Sequence, residues 1–375
     1  MKILINGGGI AGLTCAIALQ KLGIETVVYE STPEKKPVGA GLVIQSNAIS
    51  ALEYLGIEDK IIEAANPINQ LVILDEKANV IKIQKPSSGN RELFSGLAIH
   101  RHTLHQILKS YLQENILFTN KKALSFSYIN EKVILHFEDG STAEGDFLVS
   151  TDGINSNIRL QLLPDSKPRY AGYFCWRSVI DNSELRITAA TETWGTKGRF
   201  GIVPINENKI YWYATFNSNQ FDVKINHYSL KNLHEHFADY HLLVRQILEK
   251  SSDDNLIKNP ICDIKPLNQF AFSRVLLIGD AAHATTPNLG QGACQAIEDV
   301  MVLHKEIALG KGISSAFRSF ERRRVKKTKF IIETSRKLGA IGQFENKFLI
   351  SLRNMIFKLT PEFVTEHQFK KIYNK

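Results

Sequence analysis

Gly7-Gly8-Gly9-Ile10-Ala11-Gly12 follows the apolar run Ile3-Leu4-Ile5, and beyond it Ile10, Leu13, Ala16 and Ile17 recur at helical spacing. A second apolar run, Thr26-Val27-Val28-Tyr29, ends at Glu30. Strand 2–6, glycine turn, helix 10–22 and strand 26–29 predict the opening of a doubly wound α/β sheet. A bare G-x-G-x-x-G match is weak; between a strand and a helix, with an acid closing the next strand, it is specific for a dinucleotide. Gly7 permits the tight turn, Gly9 lets a pyrophosphate reach the backbone, and Gly12 lets helix and strand pack closely. The free N–H groups and positive dipole end of the helix face the phosphates. Glu30 accepts from ribose hydroxyls, and its charge repels a 2′-phosphate, which disfavours NADP at this turn. Gly7, Gly9, Ala11, Gly12 and Glu30 are therefore the candidate cofactor residues here, and the turn fits FAD and NAD alike.

Two later motifs narrow the choice. Asp152-Gly153-Ile154-Asn155-Ser156-Asn157-Ile158-Arg159 follows the apolar strand Phe147-Leu148-Val149. Gly279-Asp280-Ala281-Ala282-His283-Ala284 follows a strand over 274–278 and leads to Pro287 and Gly290-Gln291-Gly292. Asp152 and Asp280 are candidates to hold ribose or ribityl hydroxyls. Gly290 and Gly292 open a helix whose N-terminus stabilises negative charge, such as that on N1 and O2 of a reduced flavin.

The rest of the chain fits around these motifs. At 375 residues it suggests about two domains. With 43% hydrophobic and 22% charged residues, disorder and coiled coil are excluded as overall readings. A hairpin is expected over 70–84, a loop over 86–90, a helix over 103–113, and three strands over 126–151 turning at Asp139-Gly140. A further helix is expected over 46–55, stopped by Gly56. Residues 170–216 read as mostly β, 228–250 as helical, and everything beyond about 315 as helical and basic. Four well-separated cysteines form no CxxC, which argues against a disulfide framework or zinc site. The net charge of +8 is uneven, since residues 311–375 hold 16 Lys/Arg against five Asp/Glu. The run Arg322 to Lys329 is read as a solvated helix face with Phe320 and Val325 inward, because no nucleic-acid motif accompanies it.

Taken together, the three motifs resemble the FAD-dependent aromatic hydroxylases of the p-hydroxybenzoate hydroxylase type, the group A flavoprotein monooxygenases, over nearly the whole chain. The segment from Gly39 through Asn47 resembles that family's stretch near the flavin ring, and His100-Arg101-His102 resembles its FAD-contacting arginine, Arg101. The resemblance implies an α/β fold: a Rossmann-type FAD-binding domain (1–67, 96–166 and 264–330), an inserted β-rich substrate domain (68–95 and 167–263) and a helical C-terminal segment (331–375). It implies FAD as cofactor with NADPH or NADH as co-substrate. NAD(P)H would reduce the flavin, O2 would add at C4a, and the hydroperoxide would hydroxylate a small aromatic or heteroaromatic ring. No catalytic side chain is required, although Pro287 is placed near the flavin. Arg199 and Tyr211 resemble the substrate-binding arginine and tyrosine of flavin-dependent urate hydroxylase. Trp176 is read as sheet packing, and the groups His100/His102/His105 and His234/His236/His241 as structural rather than metal-binding. The alternatives are a flavin reductase or desaturase of a lipid-like substrate, with Phe348 to Leu352 at a membrane surface, and a non-catalytic flavin redox sensor. The protein is expected to be cytoplasmic, a monomer or weak homo-oligomer, and not to bind nucleic acid, with membrane contact possible but disfavoured.

Overall fold

The computed structural model describes residues 1–33, 40–85, 96–220 and 222–373; the expected loop at 86–90 and the start of the Gly39 segment lie outside them. The glycine turn sits on a six-stranded sheet. Its strands run in the order Ala271–Phe272, Val275–Leu277, Phe147–Ser150, Lys2–Asn6, Glu25–Tyr29, Leu117–Phe118. All neighbours are parallel except the first pair. Register does the decisive work: Asn6 lies opposite Ser150, and Ser150 opposite Leu277. The residues after these three carboxyl ends are Gly7, Thr151-Asp152 and Ile278-Gly279-Asp280, so three motifs far apart in sequence meet on one crest. Ligands of open α/β sheets bind at such a crest.

Helix Ile10–Lys21 is buried on more than one side, from Ile10 through Leu19. It packs against helix Gly292–Ala308, which in turn packs against Ser46–Leu55 and Ile313–Gly342. The 313–342 helix runs unbroken through residue 330, because Ile331, Ile332, Ser335 and Gly339 continue its buried face. Helices Lys347–Leu359 and Glu362–Tyr373 follow.

A second sheet of seven strands has the order Ile257–Asp263, Arg169–Asp181, Lys209–Asn217, Gly198–Asn206, Ala190–Gly195, Leu71–Leu74, Val80–Gln84. The hairpin 71–84 joins by parallel pairing of Leu71–Leu74 with Ala190–Thr193. One face carries Trp176, Phe200, Trp212 and Phe216 and is covered by helices Leu230–His236 and Leu242–Glu249. Trp176 is fully buried and stacks on Phe216 at 4.4 Å, so it packs the sheet.

Several local expectations shift. The helix expected over 103–113 is Arg101–Lys109, started by His100, whose Nδ1 accepts the His102 N–H. Residues 123–150 form four strands rather than three, because Thr142–Gly145 and Phe147–Ser150 break at Asp146 and join different sheets. The basic run is not wholly solvated: Arg324 is 1% exposed and turns inward, while Val325 is only partly buried.

Candidate active site

The glycine turn is closed by its own chain. A Cβ on Gly12 would sit 1.8 Å from the Gly7 carbonyl oxygen, and one on Gly7, whose φ is +113°, would sit 2.5 Å from the Thr151 carbonyl oxygen. Thr151 Oγ1 donates to the Gly7 carbonyl at 2.9 Å, tying the first crest loop to the second. Glu30 accepts the Gly8 N–H at 2.8 Å through Oε2 and the Thr32 N–H and hydroxyl through Oε1. Burial pushes its carboxyl up, but these hydrogen bonds outweigh it and hold the group below its ordinary value. From the other side, His105 Nε2 donates to the Gly8 carbonyl at 2.8 Å. Arg101 opens the same helix with its side chain exposed, and its own N–H donates to the Ala40 carbonyl.

The crest is open in other places. A Cβ on Gly9, Gly153 or Gly292 would meet nothing within 4 Å. Asp280 is exposed and makes no hydrogen bond or ion pair with the described chain. It stands at the first position of the short helix Asp280–His283, three residues beyond the end of the Val275–Leu277 strand. Asp152 accepts from Ser150 Oγ at 2.6 Å, and burial raises its carboxyl. Ala11 packs toward Gly279, where an added Cβ would lie 3.2 Å from the Ala11 methyl.

Arg159 belongs to the second motif but not to the open crest. It is fully buried and donates to the carbonyls of Gly153, Ile154, Ser166 and Ala281, which fastens the second loop to the third. Burial disfavours its charge and lowers its pKa, against the attraction of Asp152 and Asp280. A larger buried network supports the third loop. Asp299 accepts the Gly279 N–H at 3.0 Å and the Arg324 Nε–H at 2.6 Å, and lies 2.6 Å from His283 Nε2. Arg324 also pairs with Glu298, whose other oxygen accepts from Asn47 at 2.8 Å. Asn47 donates to Gln291, and Gln291 donates to Gln45. Gln45 donates to the Leu289 carbonyl and accepts from the Tyr373 hydroxyl, each at 2.9 Å. The Pro287–Leu289 turn and the start of the 292–308 helix are thereby held from three sides.

The second sheet presents its other face to this turn. Period-two alternation puts Tyr173, Cys175 and Arg177 on that face, opposite Phe174 and Trp176. Arg177 pairs in register with Tyr213, Val179 with Tyr211, and Arg199 with Thr215. Arg199 Nη2 donates to Asn288 Oδ1 at 2.7 Å, and Nη1 to Glu192 at 3.2 Å. Arg199 is 4% exposed; burial works against its charge, yet Glu192, Tyr173, Tyr213 and Cys175 together outweigh this and hold the guanidinium above its usual value. Tyr173 exchanges hydrogen bonds with Asn288. Tyr211 packs on Gly41, at the start of the Gly41–Gln45 strand, and its hydroxyl makes no hydrogen bond with the described chain. Burial raises its pKa.

A protein family described as FAD binding domain matches residues 1–333. The aurachin C monooxygenase/isomerase of Stigmatella aurantiaca is 34% identical over 362 residues, covering 96% of this chain and 94% of that protein. The chain belongs to the FAD-dependent monooxygenases. The 2-heptyl-3-hydroxy-4(1H)-quinolone synthase of Pseudomonas aeruginosa is 31% identical over 366 residues, covering 96% and 94%. Among solved structures, Klebsiella pneumoniae HpxO complexed with FAD and uric acid superposes with a TM-score of 0.91 at 24% identity, covering 100% of this chain and 96% of that one.

The residues present fit the family's FAD. The open positions Gly9 and Gly292 begin helices of 12 and 17 residues, whose free N–H groups face the crest. The unpartnered Asp280 carboxylate supplies an acceptor for a hydroxyl. Thus Gly7 and Gly12 shape the turn while Gly9 and Gly292 border its space. Sequence reading missed Asp299 and Arg324 as supports, placed Arg159 in a motif and His105 in a structural group without finding what either holds, and missed Arg177, Tyr213, Glu192 and Asn288 around Arg199 and Tyr211. Alternation along 173–177 carries a signal for Arg177, and the second motif carries one for Arg159; nothing local signals Asp299, Arg324, Tyr213, Glu192 or Asn288. Among the described residues no three His, Cys, Asp or Glu are grouped to hold a metal, and His236 instead stacks on Phe216 and bonds the Lys197 carbonyl.

Proposed function

We propose that this monooxygenase uses FAD and NADH or NADPH to hydroxylate a small heteroaromatic ring bearing a carbonyl, with residues 68–95 and 167–263 supplying the substrate face. The observation that carries this is the direct bond from Arg199 to Asn288, which joins the polar face of the second sheet to the turn before Gly290 and Gly292. When bound, the flavin supplies the redox chemistry and the activation of O2. Gly9, Glu30, Arg101, Asp152, Asp280, Gly290 and Gly292 would hold it, and the 292–308 helix N-terminus would favour negative charge placed beside it. The tight wall of Tyr173, Tyr211 and Tyr213 excludes water.

Glu192 and Asn288 already engage Arg199, so its charge is offset within the wall. This favours a neutral ring over a fully anionic one. Among the described residues the buried Arg177 Nε and Arg199 Nε atoms have no hydrogen-bond partner. These donors suit a ring carbonyl, the group named in the quinolone relative. The test is NADH and NADPH oxidation by the purified yellow protein with 2-alkyl-4-quinolones, urate and salicylate, followed by mass spectrometry for one added oxygen. A FAD-loaded protein whose NAD(P)H oxidation no aromatic compound stimulates would refute the reading. Tyr211→Phe removes only an unbonded hydroxyl, so it should keep FAD and stability while diverting reducing equivalents to H2O2.

A further inference from the structure

Helix Lys347–Leu359 is apolar on two opposite faces. Ile350, Arg353 and Phe357 form the inner one: Phe357 meets the Trp194 ring edge-on at 4.9 Å, the Arg353 guanidinium lies over the same ring at 4.9 Å, and Arg353 donates to the Gly342 carbonyl at 3.2 Å. The outer face carries Phe348, Leu349, Leu352, Met355, Ile356 and Leu359. Their spacing of one, three and four residues places them on one side of the helix. Phe348 and Leu359 are 74% and 70% exposed, and Phe363, opening the next helix, is 70% exposed. A contiguous apolar stripe of this length on a folded surface marks an interaction site.

We propose that this outer face docks the enzyme onto an anionic lipid bilayer, lying in the interface without crossing it. Charge decides between a bilayer and other occupants. Residues 347–375 hold six Lys/Arg against two Asp/Glu. Lys347, Lys358, Lys370 and Lys371 are exposed and make no ion pair with the described chain. Apolar stripe, flanking lysines and a rigid inner face are the properties of an in-plane amphipathic helix. A self-contact between two copies would instead bring these like charges together. No helix among the described residues is long and apolar enough to span a membrane.

The position gives the docking a purpose. Trp194, the inner anchor of the helix, pairs in register with Arg199. The docked face is therefore about one helix diameter, ~10 Å, from the substrate face. A ring carrying an alkyl chain could pass from the bilayer to Arg199 without crossing bulk water; this last consequence rests on the proposed reaction, while the docking does not.

The test is co-sedimentation of the FAD-loaded full chain with phosphatidylcholine vesicles with and without phosphatidylglycerol, at low and high salt. Binding should require phosphatidylglycerol and weaken with salt. The triple substitution Phe348→Glu/Met355→Glu/Leu359→Glu should cut vesicle partitioning at least tenfold with FAD content unchanged. Phe348→Trp gives a second readout: its added emission should shift to the blue on vesicles and be quenched by brominated lipid. Failure of the wild-type protein to sediment with anionic vesicles overturns the proposal. So does equal sedimentation of the triple variant, or a dimer in sedimentation velocity that this variant dissolves without any vesicle binding. Because these readouts do not use turnover, a wrong substrate class leaves them unaffected.

Discussion

Replacing Asp299 with alanine should destabilise the protein far more than any surface ion pair does. Asp299 is fully buried and accepts from Gly279 N–H and Arg324 Nε while touching His283. The substitution orphans the Gly279 N–H and leaves Arg324, itself 1% exposed, with Glu298 and Gln295 alone. Removing one partner of a buried charge pair costs about 3–5 kcal/mol. The surviving Glu298 contact places this case at the lower end, ~3 kcal/mol. With a urea slope of ~3 kcal/mol/M, the unfolding midpoint should fall by about 1 M. The measurement is urea unfolding by circular dichroism at fixed excess FAD, with Lys122→Ala as control. Lys122 and Glu138 are half-exposed or more, so that pair is worth about 0–1 kcal/mol. A midpoint for Asp299→Ala within error of the control would refute the reasoning. The effect should also depend on pH. Burial raises the Asp299 pKa, but His283 and Arg324 outweigh it and lower the folded value below an aspartate's usual ~4. A depressed folded pKa adds stability above the unfolded value and loses it as pH falls through the folded one. The gap between wild type and variant should thus be full near neutrality and shrink below about pH 4.

Gly12→Ala should abolish soluble holoprotein, because its Cβ would meet the Gly7 carbonyl oxygen, whereas Gly9→Ala should fold with an unchanged melting temperature but lose FAD affinity, as read by titration of flavin fluorescence. Asp280→Ala, at an exposed and unpartnered site, should leave stability within about 0.5 kcal/mol and weaken FAD ~10- to 150-fold, the equivalent of one charged hydrogen bond. Glu30→Ala should weaken FAD similarly and also lower the melting temperature, since it releases the Gly8 N–H; equal stability of Glu30→Ala and Asp280→Ala would show that Glu30 does not brace the turn.

The cofactor crest was legible because its causes are local. A glycine is required at position 7 by the backbone's own φ of +113° and at position 12 by the approach of the Gly7 carbonyl. Strand, turn and helix follow from the few residues around them, and alternation from Tyr173 to Arg177 announces a sheet with two unlike faces. These constraints act over a handful of residues, so residue type and spacing express them directly.

Tertiary structure alone decided what holds the crest and what meets the polar face of the second sheet. Within Arg322 to Lys329, Arg324 is chemically indistinguishable from its neighbours; only the rotation of the 313–342 helix turns it onto Asp299 and Glu298 and leaves Arg322 exposed. His105 looked like one of a cluster of histidines until its helix brought Nε2 to the Gly8 carbonyl, 97 residues away. Arg199 gained its partner Asn288 from a loop 89 residues on. A buried polar side chain is tolerated only where another element supplies its hydrogen bonds. That partner is chosen by how sheets and helices pack, which no local run of residues encodes.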